Sequence, residues 1–342
     1  MILTPPHSLV AAPSPPPPPV AGLGPTGEVL GATGQWTANR LRTELLRAAL
    51  PVDEAFIQRV IGSRALQNAL AFCSSTEDVS TLFALANAEP LSQTRAAVLG
   101  DTGVAIDGDI AYPHRTTALF KWAFDGAVPS VLKLPQGVGA AERECCLYDD
   151  VGSAARVAGI QLVPVRLLRM RGTHTVAGDV TTLRAGVLMP SYPVTLAAAP
   201  AVVVLRHGAR FFSRLEACLQ LLAERGWVHG DVKPSNIFLA GDSEPWLGDY
   251  GSSVTTVAAH AEFRGGTPQY QLEGVPVDAR DGAFDRAGLI VSLLDAAGLL
   301  RAGSRDPLPW PLAAIRVTIG RLGDDGLRSI LTVALDRVVA VL

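Results

Sequence analysis

Residues 227–239 read WVHGDVKPSNIFL. Four polar side chains, His229, Asp231, Lys233 and Asn236, stand here between two apolar stretches. Burying such groups without partners is costly. They either tie a loop into the fold or hold something charged. The stretch before them, ARFFSRLEACLQLLAERG (209–226), has helical periodicity and ends near Gly226, which places the polar cluster on the loop after a helix. IFLA (237–240) resumes as a strand, and PWLGDYG (245–251) brings a second strand that ends in Asp249-Tyr250-Gly251. Pairing the two strands sets Asp231, Asn236 and Asp249 near one another. Three oxygen-bearing side chains converging at strand ends suit a hard divalent cation such as magnesium, which in turn usually carries phosphates.

The chain has 342 residues, 48% hydrophobic and 18% charged, enough for a substantial core and more than one folding unit. A net charge of -3 gives no global basic field for nucleic acid or an anionic membrane, and no stretch has the length of a bilayer span without a charge, proline or glycine cluster. The first residues lack the basic n-region of a signal peptide, and Pro5 and Pro6 break their apolar run. The four cysteines show no C-x-x-C spacing and read as reduced thiols. These features lead us to expect a soluble intracellular protein, cytoplasmic or nuclear, with no nucleic-acid or membrane partner.

Three segments succeed one another. Residues 1–35 read as a disordered Pro-rich tail, and PSPPPPPV (13–20) within it favours polyproline II, a solvated spacer or a ligand for an SH3- or WW-type reader. Residues 36–92 read as a helical extension that docks on the C-terminal remainder of the chain or binds a partner. Thr37 caps ANRLRTELLRAAL, Pro51 ends it, and VDEAFIQRVIG, SRALQNALAFC and STEDVSTLFALANA continue the pattern. From about 93 to 342 the chain reads as α+β. AAVLG, GVAIDG, TALFKWAF, SVLKLP, LVPVRLLRM and LRAGVLMP are strand-like, with a hairpin turn at Asp125-Gly126 and a helix over 140–159. Helices dominate after Pro200. A strand-rich part before a helix-rich part predicts two lobes, about 93–189 and 190–342, with a cleft between them.

H-G-D-V-K-P-S-N followed by D-Y-G resembles the catalytic loop and magnesium loop of the eukaryotic-type protein kinase superfamily. Further parts occur in the family's order. SVLKL (130–134) resembles the β3 strand with its lysine, Lys133. The next helix carries Glu144 where the family places its αC glutamate, with Glu142 as the fallback. VLMPSYP (187–193) resembles the hinge, GGTPQYQLEG (265–274) the end of the activation segment, and FDRAGLIVSLL (284–294) the αF helix with Asp285 as its buried aspartate. The resemblance covers roughly three quarters of the chain. Any one of these patterns recurs by chance; their ordered succession is what carries weight.

The resemblance implies a two-lobed kinase-like fold and an ATP-dependent phosphotransferase, most simply a serine/threonine protein kinase acting on a protein hydroxyl. It implies that Asp231 orients the acceptor hydroxyl and receives its proton, and that Lys233 neutralises the transferring phosphoryl. Asn236 and Asp249 would hold Mg2+, and Lys133 would grip the phosphates of ATP, fixed by Glu144. Leu188, Met189 and Ser191 would form the adenine hinge, Val131 the roof and Phe238 the floor. His229, Tyr250 and Tyr148 would stack as a spine.

The sequence also departs from the family. The phosphate-covering glycine loop is missing: its place falls near AYPHRTTALF (111–120), with GDTG (100–103) a short alternative far upstream of Lys133 and Arg115 or Thr116 as substitute phosphate contacts. Gly230 replaces the arginine that usually pairs with an activation-loop phosphate, so activity is expected without loop phosphorylation. The A-P-E end is degraded to Q-L-E, with Glu273 as its equivalent. These departures leave two alternatives: a pseudokinase that acts as a nucleotide-binding scaffold, and a small-molecule kinase of the same fold.

Overall fold

The structure, a computed structural model, describes residues 37–62, 75–87, 95–99, 103–107, 117–126, 128–135, 139–169, 173–176, 179–182, 185–240, 244–259, 265–277, 280–300 and 308–342, with isolated positions 67, 70, 73 and 263. The Pro-rich run 13–20, Arg115 and most of SRALQNALAFC lie outside the described residues.

Among the described residues three helices come first: α1 (Ala38–Arg47), α2 (Glu54–Gly62) and α3 (Thr76–Asn87). Thr37 caps α1, its hydroxyl accepting from the Arg40 amide at 3.3 Å. Ser75 and Asp78 cap α3 reciprocally, each side chain accepting the other's amide at 3.1 Å. The apolar faces of these helices do not form a core of their own. Leu41, Leu45, Phe56, Ile57, Val60 and Leu82 close over Ala97, Leu99 and Phe124 of the adjoining sheet.

That sheet has six strands in the order β2-β1-β3-β4-β8-β5. They are β1 (Arg95–Leu99), β2 (Gly103–Asp107), β3 (Thr117–Asp125), β4 (Val128–Pro135), β5 (Arg166–Arg169) and β8 (Ala185–Pro190). β3 and β4 form the hairpin expected at Asp125-Gly126, with Gly126 at φ 55°, a value that favours glycine. A bulge between Phe120 and Ala123 changes the phase of β3. It lets both residues face one core although they are three apart, and it leaves Trp122 and Phe124 toward the helices. β1 is buried throughout: Ala96 and Val98 point into a strand-only core, Ala97 and Leu99 into the helical one. β1 runs antiparallel to β2 but parallel to β3. A small hairpin, β6 (Thr173–Val176) and β7 (Asp179–Thr182), lies between β5 and β8 in sequence.

Helix α4 (Ala140–Ala158) follows β4 and is closed by Gly159 at φ 66°. It carries Ala141, Cys145, Leu147, Val151 and Ala155 into the largest core. The same core runs into the C-terminal half through α5 (Ala201–Glu224), α6 (Ala283–Ala296), α7 (Leu312–Gly320) and α8 (Asp325–Val339). α6 is buried from Ala283 to Leu294, as a helix covered on all sides must be. Short strands finish the set: β9 (Val194–Thr195), β10 (Trp227–Val228), β11 (Ile237–Ala240), β12 (Glu244–Leu247) and β13 (Val254–Thr255). The architecture is mixed α+β. Cys73, Cys145, Cys146 and Cys218 are all free thiols. Among the described residues no helix is long and apolar enough to cross a membrane.

Candidate functional site

The polar stretch of residues 229–236 lies between β10 and β11, mostly buried. Its placement comes from the β11–β12 hairpin. Ile237 pairs with Leu247, so Asn236 and Gly248 face each other at the hairpin's open end, and the Gly248 amide donates to the Asn236 carbonyl at 3.0 Å. Gly248 has to be small: a Cβ there would lie 2.7 Å from Val163 and 3.0 Å from Phe238. Asp249 comes next with φ 63° and ψ 73°, left-handed for a residue that is not glycine. Such a conformation costs on the order of 1–3 kcal/mol and gathers at functional sites.

Two buried groups fix the loop from beneath. Asp285, near the start of α6, accepts from the amides of His229 at 2.7 Å and Gly230 at 2.9 Å. Burial raises its pKa, although His229 and the two amides act in the opposite sense. The His229 ring is fully buried; its Nε2 lies 3.1 Å from the Gly248 carbonyl and its Nδ1 accepts from the Asp231 amide at 3.3 Å. Tyr250 packs edge-on against His229, at 5.8 Å between centroids, and stacks on Tyr148 of α4 at 6.5 Å. Its hydroxyl donates to the carbonyls of Val163 and Leu247, both at 2.9 Å.

Lys133 on β4 reaches this loop from the sheet. Its Nζ lies 2.9 and 2.8 Å from the two carboxylate oxygens of Glu144 on α4, and 2.6 Å from Oδ1 of Asp249. Glu144 is 1% exposed, and Glu142, the fallback, is exposed on the same helix. Burial alone would lower the lysine's pKa, but the carboxylates of Asp249 and Glu144 outweigh it and hold the ammonium above its ordinary value. Asp249 is held below the usual carboxylate range because Lys133 overcomes the effect of burial. Glu144 is pushed up, first by burial and then by Asp249, with Lys133 offsetting only part.

Asp231 is held from two sides. Its Oδ2 accepts from Lys233 Nζ at 2.6 Å and its Oδ1 from the Thr267 hydroxyl at 2.7 Å; Lys233 also donates to that hydroxyl oxygen at 3.1 Å. Asn236 Nδ2 donates to the Asp231 carbonyl at 2.9 Å. That leaves the Asn236 amide oxygen with one long contact, from Ser235 Oγ at 3.4 Å, and Asp249 Oδ2 apart from the Lys133 contact.

The other residues singled out from sequence divide by sheet face. Val131, Lys133, Val187 and Met189 share one face, by strand alternation and the β4–β8 register. Leu188 pairs with Leu132 on the opposite face and fills the strand-only core, so its side chain does not line the Lys133 side. Phe238 packs on Tyr192 at 5.4 Å between centroids, and Ser191 is half-buried just after β8. Glu273 is exposed; its amide donates to the Trp310 carbonyl at 2.9 Å.

Three residues that matter here escape a reading of the sequence: Thr267, Leu119 and Trp310. Thr267 lies inside GGTPQYQLEG, a pattern that gives it no individual role. Leu119 pairs with Lys133 across β3–β4, shares its face and is 48% exposed, which alternation around the bulge could have indicated. Gly230 also gains a reason. It sits at φ 82°, and a Cβ there would lie 2.7 Å from both the Ser252 carbonyl and the Phe263 ring, so no arginine fits. Among the described residues no cluster of three or more His, Cys, Asp and Glu could hold a metal.

In comparisons with known proteins, no protein-family model matches the chain and no curated protein is significantly similar to it.

Proposed function

We propose that the chain is a divergent member of the protein kinase superfamily with its two-lobed fold. It transfers the γ-phosphoryl of Mg-ATP to a serine or threonine hydroxyl of a protein. The observation that carries this reading is the Lys133 ammonium between Glu144 and Asp249, 116 residues away from the latter in sequence, beside a separately held Asp231.

Lys133 meets two carboxylates with one charge, so the cluster is short of positive charge and favours a cation. The donors at its edge are oxygens: the Asn236 amide oxygen, with only the long Ser235 contact, and Asp249 Oδ2. Two hard protein oxygens with phosphates and water suit magnesium, which rarely takes a full protein cage. Bound there, the ion would neutralise charge on the phosphates. The chain's own residues do the remainder. Glu144 aims Lys133 at the phosphates. Asp231, with Thr267 and Lys233 fixing both of its oxygens, presents a carboxylate that orients the acceptor hydroxyl and takes its proton. Lys233 is 24% exposed and compensates charge on the transferring group. Met189, Val131, Leu119 and Phe238 offer apolar surface for a base.

A second reading, a nucleotide-binding scaffold without efficient transfer, is favoured by AYPHRTTALF (111–120), which carries no glycine where the family covers the phosphates. A transfer assay with protein and small-molecule acceptors separates the readings. The proposal expects magnesium-dependent transfer to a protein hydroxyl, reduced at least about a hundredfold in Asp231→Asn. Binding of Mg-ATP without transfer to any acceptor would favour the scaffold instead.

A further inference from the structure

Trp310 holds the segment that Thr267 begins. Its amide donates to the Gln271 carbonyl at 2.8 Å, and its carbonyl accepts from the Glu273 amide at 2.9 Å. Together these contacts make a parallel bridge between Trp310 and Leu272. The indole Nε1 donates to the Gln269 carbonyl at 2.8 Å. Three bonds from one residue thus fix alternate positions 269, 271 and 273. The segment's other side is tied to α6, where the Tyr270 hydroxyl donates to Asp295 at 2.9 Å. Between these two attachments the chain turns through Pro268–Tyr270, and the Tyr270 amide returns to the Thr267 carbonyl at 2.8 Å. Thr267 is the residue that clamps Asp231 and Lys233. Trp310 sits in LPWPL (308–312); flanking prolines fix φ on both sides and reduce the ways this segment can move. Glu273 is exposed and contributes its amide alone, so the anchoring rests on Trp310 and α6 rather than on a charge.

We infer that Trp310 is a positioning residue: it holds residues 267–273 so that Thr267 keeps the Asp231 carboxylate and Lys233 aligned toward the acceptor. The acceptor-side consequence rests on the phosphotransfer reading; the anchoring does not.

The test uses the full chain and Trp310→Phe, which keeps a ring in the packing and removes the indole donor. Tyr270→Phe removes the bond on the other side. Hydrogen exchange is followed at the amides of Tyr270, Gln271 and Glu273. Loss of one such bond is worth about a three- to tenfold change in local opening, and exchange at these amides should quicken by that factor in either variant, with α5 unchanged. In transfer assays, kcat/KM for the acceptor should fall by a similar factor while KM for Mg-ATP stays within about twofold. Unchanged exchange in Trp310→Phe would overturn the anchoring. Faster exchange with equal losses for nucleotide and acceptor would overturn the positioning role. Faster exchange in a chain whose wild type transfers no phosphoryl group would sink the phosphotransfer reading and leave the anchor standing.

Discussion

Replacing Lys133 with methionine should destabilise the fold in a way that depends on pH. The side chain is 10% exposed and sits against Glu144, which is 1% exposed. Removing one partner of a buried pair leaves the other charge uncompensated, at a cost of about 3–5 kcal/mol. Asp249 can turn to solvent, since its side chain is 36% exposed, so the loss falls on Glu144. At the lower end, about 3 kcal/mol, Tm should drop by about 6 °C, taking about 2 °C per kcal/mol for a chain of this size. Glu144 already has a raised pKa, and losing Lys133 raises it further. A carboxyl with a raised folded-state pKa penalises the fold fully above that value, and the penalty fades as pH falls toward its unfolded value. Asp249 acts in the same direction on the gap. Its lowered pKa gives the wild type stability above the ordinary carboxylate range, which is lost as pH falls through the folded value. The gap between wild type and Lys133→Met should therefore narrow as pH falls from neutral toward the ordinary carboxylate range, through Glu144 first and through Asp249 only below about pH 4. Lys133→Met/Glu144→Gln should recover at least about half of the loss, because the uncompensated charge is gone. Urea and thermal unfolding followed by circular dichroism measure all three proteins. A gap below about 1 kcal/mol, no recovery in the double variant, or a gap that widens on acidification would refute the pairing argument.

Two further perturbations probe the frame around the site. Gly230→Ala places a Cβ 2.7 Å from a backbone carbonyl at a positive φ, and should cost about 3 kcal/mol in unfolding experiments; a neutral effect would mean that the segment around Ser252 yields easily. Phe56→Ala opens a cavity in the core that α1–α3 share with β1 and β3, and should cost about 3–5 kcal/mol while raising hydrogen exchange in β1; protection of β1 unchanged from wild type would mean that the helices fold independently of the sheet.

Much of the site's placement is legible in the sequence because it depends on local rules. The β11–β12 pairing comes from two short apolar runs and a turn, and pairing alone puts Asn236 beside Gly248 and near Asp249. The helix over 140–158 and the β3–β4 hairpin come from periodicity and Asp125-Gly126. Other features depend on long-range or phase information and are not legible. The direction of β1 beside β3 is set by which faces the helices and the strand core bury, and AAVLG is apolar on both faces, so alternation gives no direction. Leu188 lies one residue out of phase with Lys133's face, a distinction that needs the β4–β8 register. Helix α7 (LAAIRVTIG) has a weakly one-sided pattern, with only Ile315, Thr318 and Ile319 buried, so its periodicity does not announce it. Thr267 acts through a single hydroxyl and Trp310 through its backbone and its indole N–H, which no residue pattern marks. Arg115 lies outside the described residues, so its phosphate contact stays an expectation.

Calorimetric titration of the full chain with ATP, with and without magnesium, tests the central claim most directly. The account predicts binding that needs magnesium and that weakens at least about tenfold in Asp249→Asn and in Lys133→Met/Glu144→Gln. ATP affinity that ignores magnesium and both variants, or no binding at millimolar nucleotide by a well-folded wild type, would contradict it.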